Sequence, residues 1–136
     1  MKGIADTGFL VAFANARDIH HEWAVAVAEQ VTEPLLTCEA VLAETAFHLG
    51  SASITLDMIA EKLVCLAFSG NDHLPHLAAL AMQFQDRSPD FADLCLIRMS
   101  ELYPKHSVIT VDKSDFSIYR RNKRQVIPFI SPPRAT

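Results

Sequence analysis

The sequence predicts an α/β fold: a three-layer α/β/α sandwich around a short, mainly parallel sheet. Three observations carry the prediction. Short apolar runs of strand length occur near Ile4, at LLT, at SVITV and at VIPFI, and segments of helical periodicity separate them. Helices lying between successive strands imply parallel crossovers and helices on both sheet faces. No internal repeat, low-complexity segment or linker divides the 136 residues, which suits one domain, 1–136, with one core.

In order, Lys2 to Ala5 reads as a buried first strand. It delivers Asp6 to a strand-end turn, and a short helix follows over about Phe9 to Ala14. Asp18 has the character of an N-cap for a second helix, with Trp23, Val27 and Val31 spaced by four on its inner face. Pro34 breaks the chain, and Leu35-Leu36-Thr37 forms a very short strand. A third helix runs from Cys38 to about Leu49, with Gly50 as its C′ residue. A fourth is predicted from about Leu56 to Ser69, with Leu56, Ile59, Leu63 and Leu66 in register, stopping at Gly70. Residues 76–86 give a fifth, with Leu77, Leu80, Ala81 and Phe84 on one face. Ser88-Pro89 signals the start of a sixth helix to about Tyr103, Ser as N-cap and Pro at N1. Ser107 to Val111 is a β-branched strand ending at Asp112, Val126 to Ile130 is the last strand, and the tail 131–136 is expected to be loose.

Composition narrows the function classes. The chain is 50% hydrophobic, enough for a sizeable core and against global disorder. No run of about 18 apolar residues exists to span a membrane. The opening residues lack the charged region and long apolar stretch of a signal peptide. Cys38, Cys65 and Cys95 are odd in number, widely spaced and set in apolar sequence, which fits reduced core residues of a cytoplasmic protein. Charge is uneven: residues 1–86 carry 3 Lys/Arg against 11 Asp/Glu (−8), and residues 87–136 carry 9 against 5 (+4), for the net −4. Arg120, Arg121, Lys123 and Arg124 concentrate the positive charge. They are candidate phosphate contacts, with a solvated charge run as the plain alternative.

The chemistry lies in four carboxylates set against apolar sequence. Asp6 ends the first strand and Asp112 ends SVITV, with Asp115 just beyond. Glu44 and Asp93 project from the third and sixth helices, where a lone acid would be poorly placed. A capping role for Asp6 is equally consistent with its position. Brought together, four such groups repel and raise one another's pKa values unless a cation neutralises them. Hard oxygen ligands select Mg²⁺ or Mn²⁺, which suit phosphodiester hydrolysis of RNA or DNA.

Nearly the whole chain resembles the PIN-domain ribonucleases, near the VapC-type toxins of bacterial toxin–antitoxin pairs. The resemblance rests on IADTGFLVA, the Asp18–His21 stretch, PLLTCEAVLAE, DFADLCLIRMSE, and VITVDKSDFSIYRR with VIPFISP. It implies an acidic catalytic quartet of Asp6, Glu44, Asp93 and Asp112. It further implies Asp6 and Asp93 as metal ligands assisted by Asp112, and Thr7 and Thr110 as accompanying hydroxyls. The implied activity is Mg²⁺- or Mn²⁺-dependent endoribonuclease cleavage leaving a 5′-phosphate and a 3′-hydroxyl. The implied partners are RNA, a cognate antitoxin and a second copy in a homodimer. Gly8 and Leu94 depart from the family's usual polar or small residues without removing a ligand.

Other readings fit less well. Asp6-Thr7-Gly8 spells the aspartic-protease triplet, but helical periodicity argues against an all-β lobe. A dehalogenase-like phosphatase needs a second Asp where Gly8 stands. His73 and His76 lack further zinc ligands nearby, and no Gly-rich phosphate loop supports an NTPase. A PIN fold that binds RNA or protein without cutting, and a small metal-dependent phosphatase, remain the alternatives.

Overall fold

The computed structural model describes residues 1–133. Its centre is a parallel sheet of five three- or two-residue strands: β1 (Gly3–Ala5), β2 (Leu35–Thr37), β3 (Val64–Leu66), β4 (Ser107–Ile109) and, last in the chain, β7 (Phe129–Ile130). The spatial order is β3-β2-β1-β4-β7, with Ile4 paired to Leu36 on one side and to Val108 on the other. Every pairing in this sheet is parallel. The chain first builds outward from β1 to β3, then returns to add β4 and β7 on the far side of β1. That reversal makes the gap beyond the carboxyl ends of β1 and β4 a topological switch point, where open α/β sheets bind ligands.

Helices fill the crossovers: α1 (Thr7–Ala14) and α2 (His21–Ala28), then α3 (Glu39–Leu49) and α4 (Ala52–Ala60), then α5 (Leu74–Gln83) and α6 (Phe91–Leu102), and finally α7 (Lys113–Ile118). By the right-handed crossover rule α1–α4 fall on one face of the sheet and α5–α6 on the other, and the helix contacts follow that grouping, α1 with α2 and α3, α3 with α4, and α5 with α6. The two sets meet where α3 touches α6. Ile4, Phe9, Leu10, Leu35, Leu96, Ile97 and Ile109 are fully buried in one contiguous core. Gly3 and Gly8 serve close packing. A Cβ on Gly3 would come within 2.6 Å of Ile109 Cδ1, and one on Gly8 would collide with Val111 Cγ2. Gly8 therefore lets the first turn of α1 lie against the chain leaving β4.

Several predicted boundaries are corrected. The predicted fourth helix over 56–69 is α4 followed by the strand β3. Ser51 caps α4 by accepting from Ile54 N at 3.3 Å, and Lys62, with φ of 64°, ends it in the left-handed conformation. Leu63 to Leu66 then extend beside β2, and Leu56, assigned to the inner face by periodicity, is 63% exposed. The second helix starts at His21 rather than at Asp18, whose carboxylate closes a turn by accepting from His20 N at 2.8 Å. The sixth starts at Phe91 because Asp90, not Ser88, is its N-cap, accepting from Asp93 N at 2.8 Å. Asp is among the strongest N-caps, and Ser88 is held in a left-handed turn, φ 48°.

The last predicted strand is interrupted by Pro128. Before it, β5 (Arg120–Arg121) and β6 (Gln125–Val126) form a small antiparallel hairpin. Of the tail, residues 131–133 have no regular structure and 134–136 lie outside the described residues. Among the described residues, no helix is long and apolar enough to cross a membrane.

Candidate active site

The switch point opens into a cavity of about 500 Å³ that gathers side chains from α1, α3, α6 and the β4–α7 connection. Asp6, Glu44, Asp93 and Asp112 all line it, together with Thr7 and Asp115. Asp18 and Asp90 line it as well, giving seven carboxylates. Arg87, His20 and His48 are the basic side chains on its wall.

Asp6 is held from both sides. Its Oδ1 accepts from Thr7 N at 2.7 Å, the capping bond of α1, and its Oδ2 accepts from Thr110 Oγ1 at 2.7 Å. Capping and site placement are thus the same geometry, with a second oxygen left to the Thr110 hydroxyl. Thr110 Oγ1 also accepts from Asp112 N at 2.9 Å, so one hydroxyl couples the ends of β1 and β4. Asp112 caps α7 by accepting from Asp115 N at 3.1 Å. Asp93 Oδ2 accepts from Tyr119 Oη at 3.0 Å. Tyr119 is itself buried between the Phe84 and Phe116 rings, each 5.3 Å away edge-on.

Burial and mutual charge raise these carboxylates above their ordinary range. Burial pushes Asp6 up to about 6, against the hydrogen bonds from Thr110 and Thr7, with the charges of Asp112 and Asp90 adding to the rise. Asp93 is pushed up to about 7 by burial and then by the neighbouring charge of Asp90. Glu44 is raised by burial and by Asp90 and Asp6, and Asp112 by burial and by Asp115. Among the described residues, the Lys/Arg ion pairs are Lys2–Glu33, Arg87–Asp115 and Arg98–Glu101, so no Lys or Arg is paired with Asp6, Glu44, Asp93 or Asp112. The Thr7 hydroxyl is also unspent. It lies near enough to Glu44 to favour that carboxylate's charge, yet it is buried with no partner at hydrogen-bonding geometry.

A donor set of hard oxygens with uncompensated charge fits a divalent cation such as Mg²⁺ or Mn²⁺. Among the described residues, no group of three His, Cys, Asp or Glu side chains is close enough to form a preassembled ligand cage. Mg²⁺ commonly keeps several waters and is held by one or two carboxylates, so it does not require such a cage.

The basic segment sits elsewhere, and none of its four cations lines the cavity. Arg121 is 5% exposed, and it donates to Ser100 O at 2.8 Å and Pro104 O at 3.3 Å. Arg120 Nη1 donates to the carbonyls of Ser117, Ile118 and Tyr119 near the end of α7. Lys123 and Arg124 are exposed on the hairpin turn.

Sequence reasoning missed Asp90, Arg87 and Tyr119 as site residues. Asp90 was legible as a capping acid one turn before Asp93. Nothing local to Arg87 or Tyr119 marks them, since each reaches the cavity through tertiary packing. No protein-family model matches the chain, and no curated protein matches it.

Proposed function

We propose that the chain is a metal-dependent endoribonuclease of PIN type, with Mg²⁺ or Mn²⁺ as cofactor, and the toxin of a toxin–antitoxin pair. The observation that carries this reading is a buried Asp6 and a half-buried Asp93 that share one cavity with Glu44 and Asp112 and, among the described residues, lack a paired Lys or Arg. Groups so placed destabilise the fold when ionised, and a divalent cation relieves that cost.

Asp6 and Asp93 would hold the ion, with Asp112 assisting directly or through water. Bound there, it supplies a polarised phosphoryl oxygen and an acidified water. The protein's own contribution is orientation. Thr110 and Thr7 fix the Asp6 carboxylate, and Tyr119 fixes that of Asp93. Glu44, on the facing helix, either completes the ion's shell or orients the attacking water as its proton acceptor. In-line displacement of the 3′ oxygen gives a 5′-phosphate and a 3′-hydroxyl. A cognate antitoxin as inhibitor and a homodimeric assembly follow from the same PIN resemblance.

The test is cleavage of a mixed structured RNA by the purified protein, with Mg²⁺ or Mn²⁺, with EDTA, and beside Asp6→Asn and Asp93→Asn. Metal-dependent cutting that both substitutions abolish is expected. Cutting that survives both sinks the assignment. RNA binding without cutting by any form favours the non-catalytic binding module instead.

A further inference from the structure

We propose that Arg87 is the phosphate-binding residue of this cavity, held in readiness by Asp115 and Ser114 to take a phosphate of the RNA backbone beside the carboxylates. The proposal rests on the nuclease reading for its substrate and adds to it the group that seats the substrate.

An RNA strand must bring negative charge into a cavity lined by seven carboxylates. An ion held near Asp6 and Asp93 offsets the charge there, but the neighbouring phosphates need a cation of their own. The hairpin does not supply one at the cavity. Arg121 is buried on main-chain carbonyls, and Arg120 is engaged by three others. Among the described residues, Arg87 is the one Lys or Arg side chain on the cavity wall.

Its bonding leaves it half-used. Nη2 donates to Asp115 Oδ1 at 2.7 Å and to Ser114 Oγ at 3.3 Å. Among the described residues, Nη1 and Nε have no hydrogen-bond partner, and the side chain is 32% exposed. A guanidinium anchored through one nitrogen presents its remaining donors in a planar fork that matches two phosphate oxygens.

The anchor is also tied to the chemistry. Asp115 lies in the first turn of α7, whose cap is Asp112, so Arg87 is registered on the same turn that carries the fourth acid. Its other support is the left-handed Ser88 that follows it, which fixes the turn leading to Asp90 and Asp93.

The test measures binding of a fluorescein-labelled single-stranded RNA 12-mer by anisotropy across a salt series, with Ca²⁺ replacing Mg²⁺ to suppress cutting. Arg87→Ala is expected to bind about tenfold more weakly and to lose about 0.7 from the slope of log affinity against log salt, the share of one phosphate contact on a single strand. Arg87→Lys should restore the slope and part of the affinity. Asp115→Asn, which frees the guanidinium and removes a competing charge, should bind more tightly than the native protein.

Native affinity and slope in Arg87→Ala overturn the proposal. If Arg87→Ala does not fold, Arg87→Gln decides. A salt slope shallower by about 0.7 supports a phosphate contact, and the native slope assigns Arg87 a purely structural role. An Arg87-dependent slope in a protein that never cuts RNA with Mg²⁺ would refute the nuclease and keep the phosphate contact. Absence of RNA binding by the native protein would refute both.

Discussion

Thr110 Oγ1 donates to Asp6 Oδ2 at 2.7 Å while accepting from Asp112 N at 2.9 Å, so a single hydroxyl fixes two of the four acids at the ends of neighbouring strands. Thr110→Val keeps the shape and removes both bonds. A hydrogen bond to a charged, buried carboxylate contributes about 1.5–3 kcal/mol, so urea unfolding in EDTA at pH 8 should register a loss of that order. At pH 5, where Asp6 is largely protonated, the loss should shrink. A Thr110→Val protein equally destabilised at both pH values would mean that the hydroxyl does not act on the Asp6 charge.

Stability without metal should fall as pH rises, opposite to the usual behaviour of paired carboxylates. Asp6 goes from an ordinary 3.8 to about 6 on folding, and Asp93 from 3.8 to about 7. Between those limits the folded state holds more protons than the unfolded state, so the unfolding free energy declines with pH. The contribution is fully present below about pH 4, is lost as pH rises through 6 to 7, and stays lost above. For Asp6, nearly all buried, the shift corresponds to about 3 kcal/mol. Thermal melts in EDTA should therefore peak in mildly acidic buffer. Adding Mn²⁺ should raise Tm more at pH 8 than at pH 5, and Asp6→Asn should raise the metal-free Tm at pH 8. A flat profile in EDTA would show that the site is compensated by something other than a cation.

How much of this was legible follows from which signals are local. The acid quartet was readable because each member interrupts an apolar run, and its convergence at the strand ends follows from parallel topology. The strand β3 was not readable. Leu63 and Leu66 continue the periodicity of Ile59, and only the left-handed Lys62, a conformation that side chains other than Gly seldom signal, breaks the helix. Gly8, read as a departure at a place for a polar residue, has a packing reason in Val111 that no local pattern carries. Arg121 looked like surface charge because it stands in a basic run. Its burial depends on main-chain carbonyls 21 and 17 positions away.

Tyr119→Phe isolates the support of Asp93. The ring packs between Phe84 and Phe116 and should stay there, so Tm should change little. The hydroxyl bond to Asp93 Oδ2 is lost. Outer-shell partners of metal ligands are worth about 10–100-fold in affinity or activity, and a loss at the low end is expected because Asp93 keeps water access. Mn²⁺ titration by calorimetry reads the affinity directly. An unchanged Mn²⁺ affinity would remove Tyr119 from the site's support.

Arg121 and Lys123 stand two positions apart in a basic run, yet the structure gives them opposite expectations. Arg121→Met deletes the donors to the carbonyls of Ser100 and Pro104, which lie between α6 and β4 or at the end of α6. Each buried acceptor left unmatched costs about 1–3 kcal/mol, so the urea midpoint should fall clearly. The salt slope of RNA binding by the folded fraction should not move, because a buried guanidinium releases no counterion. Lys123→Ala exchanges an exposed side chain whose main-chain carbonyl, not its ammonium, accepts from Gln83 Nε2 at 2.9 Å, so stability should hold within about 0.5 kcal/mol. Any RNA contact of the hairpin would then appear in Lys123→Ala and Arg124→Ala as a shallower salt slope at unchanged Tm. A slope change in Arg121→Met larger than in those two would contradict the burial of Arg121 and return the whole segment to the RNA-binding surface.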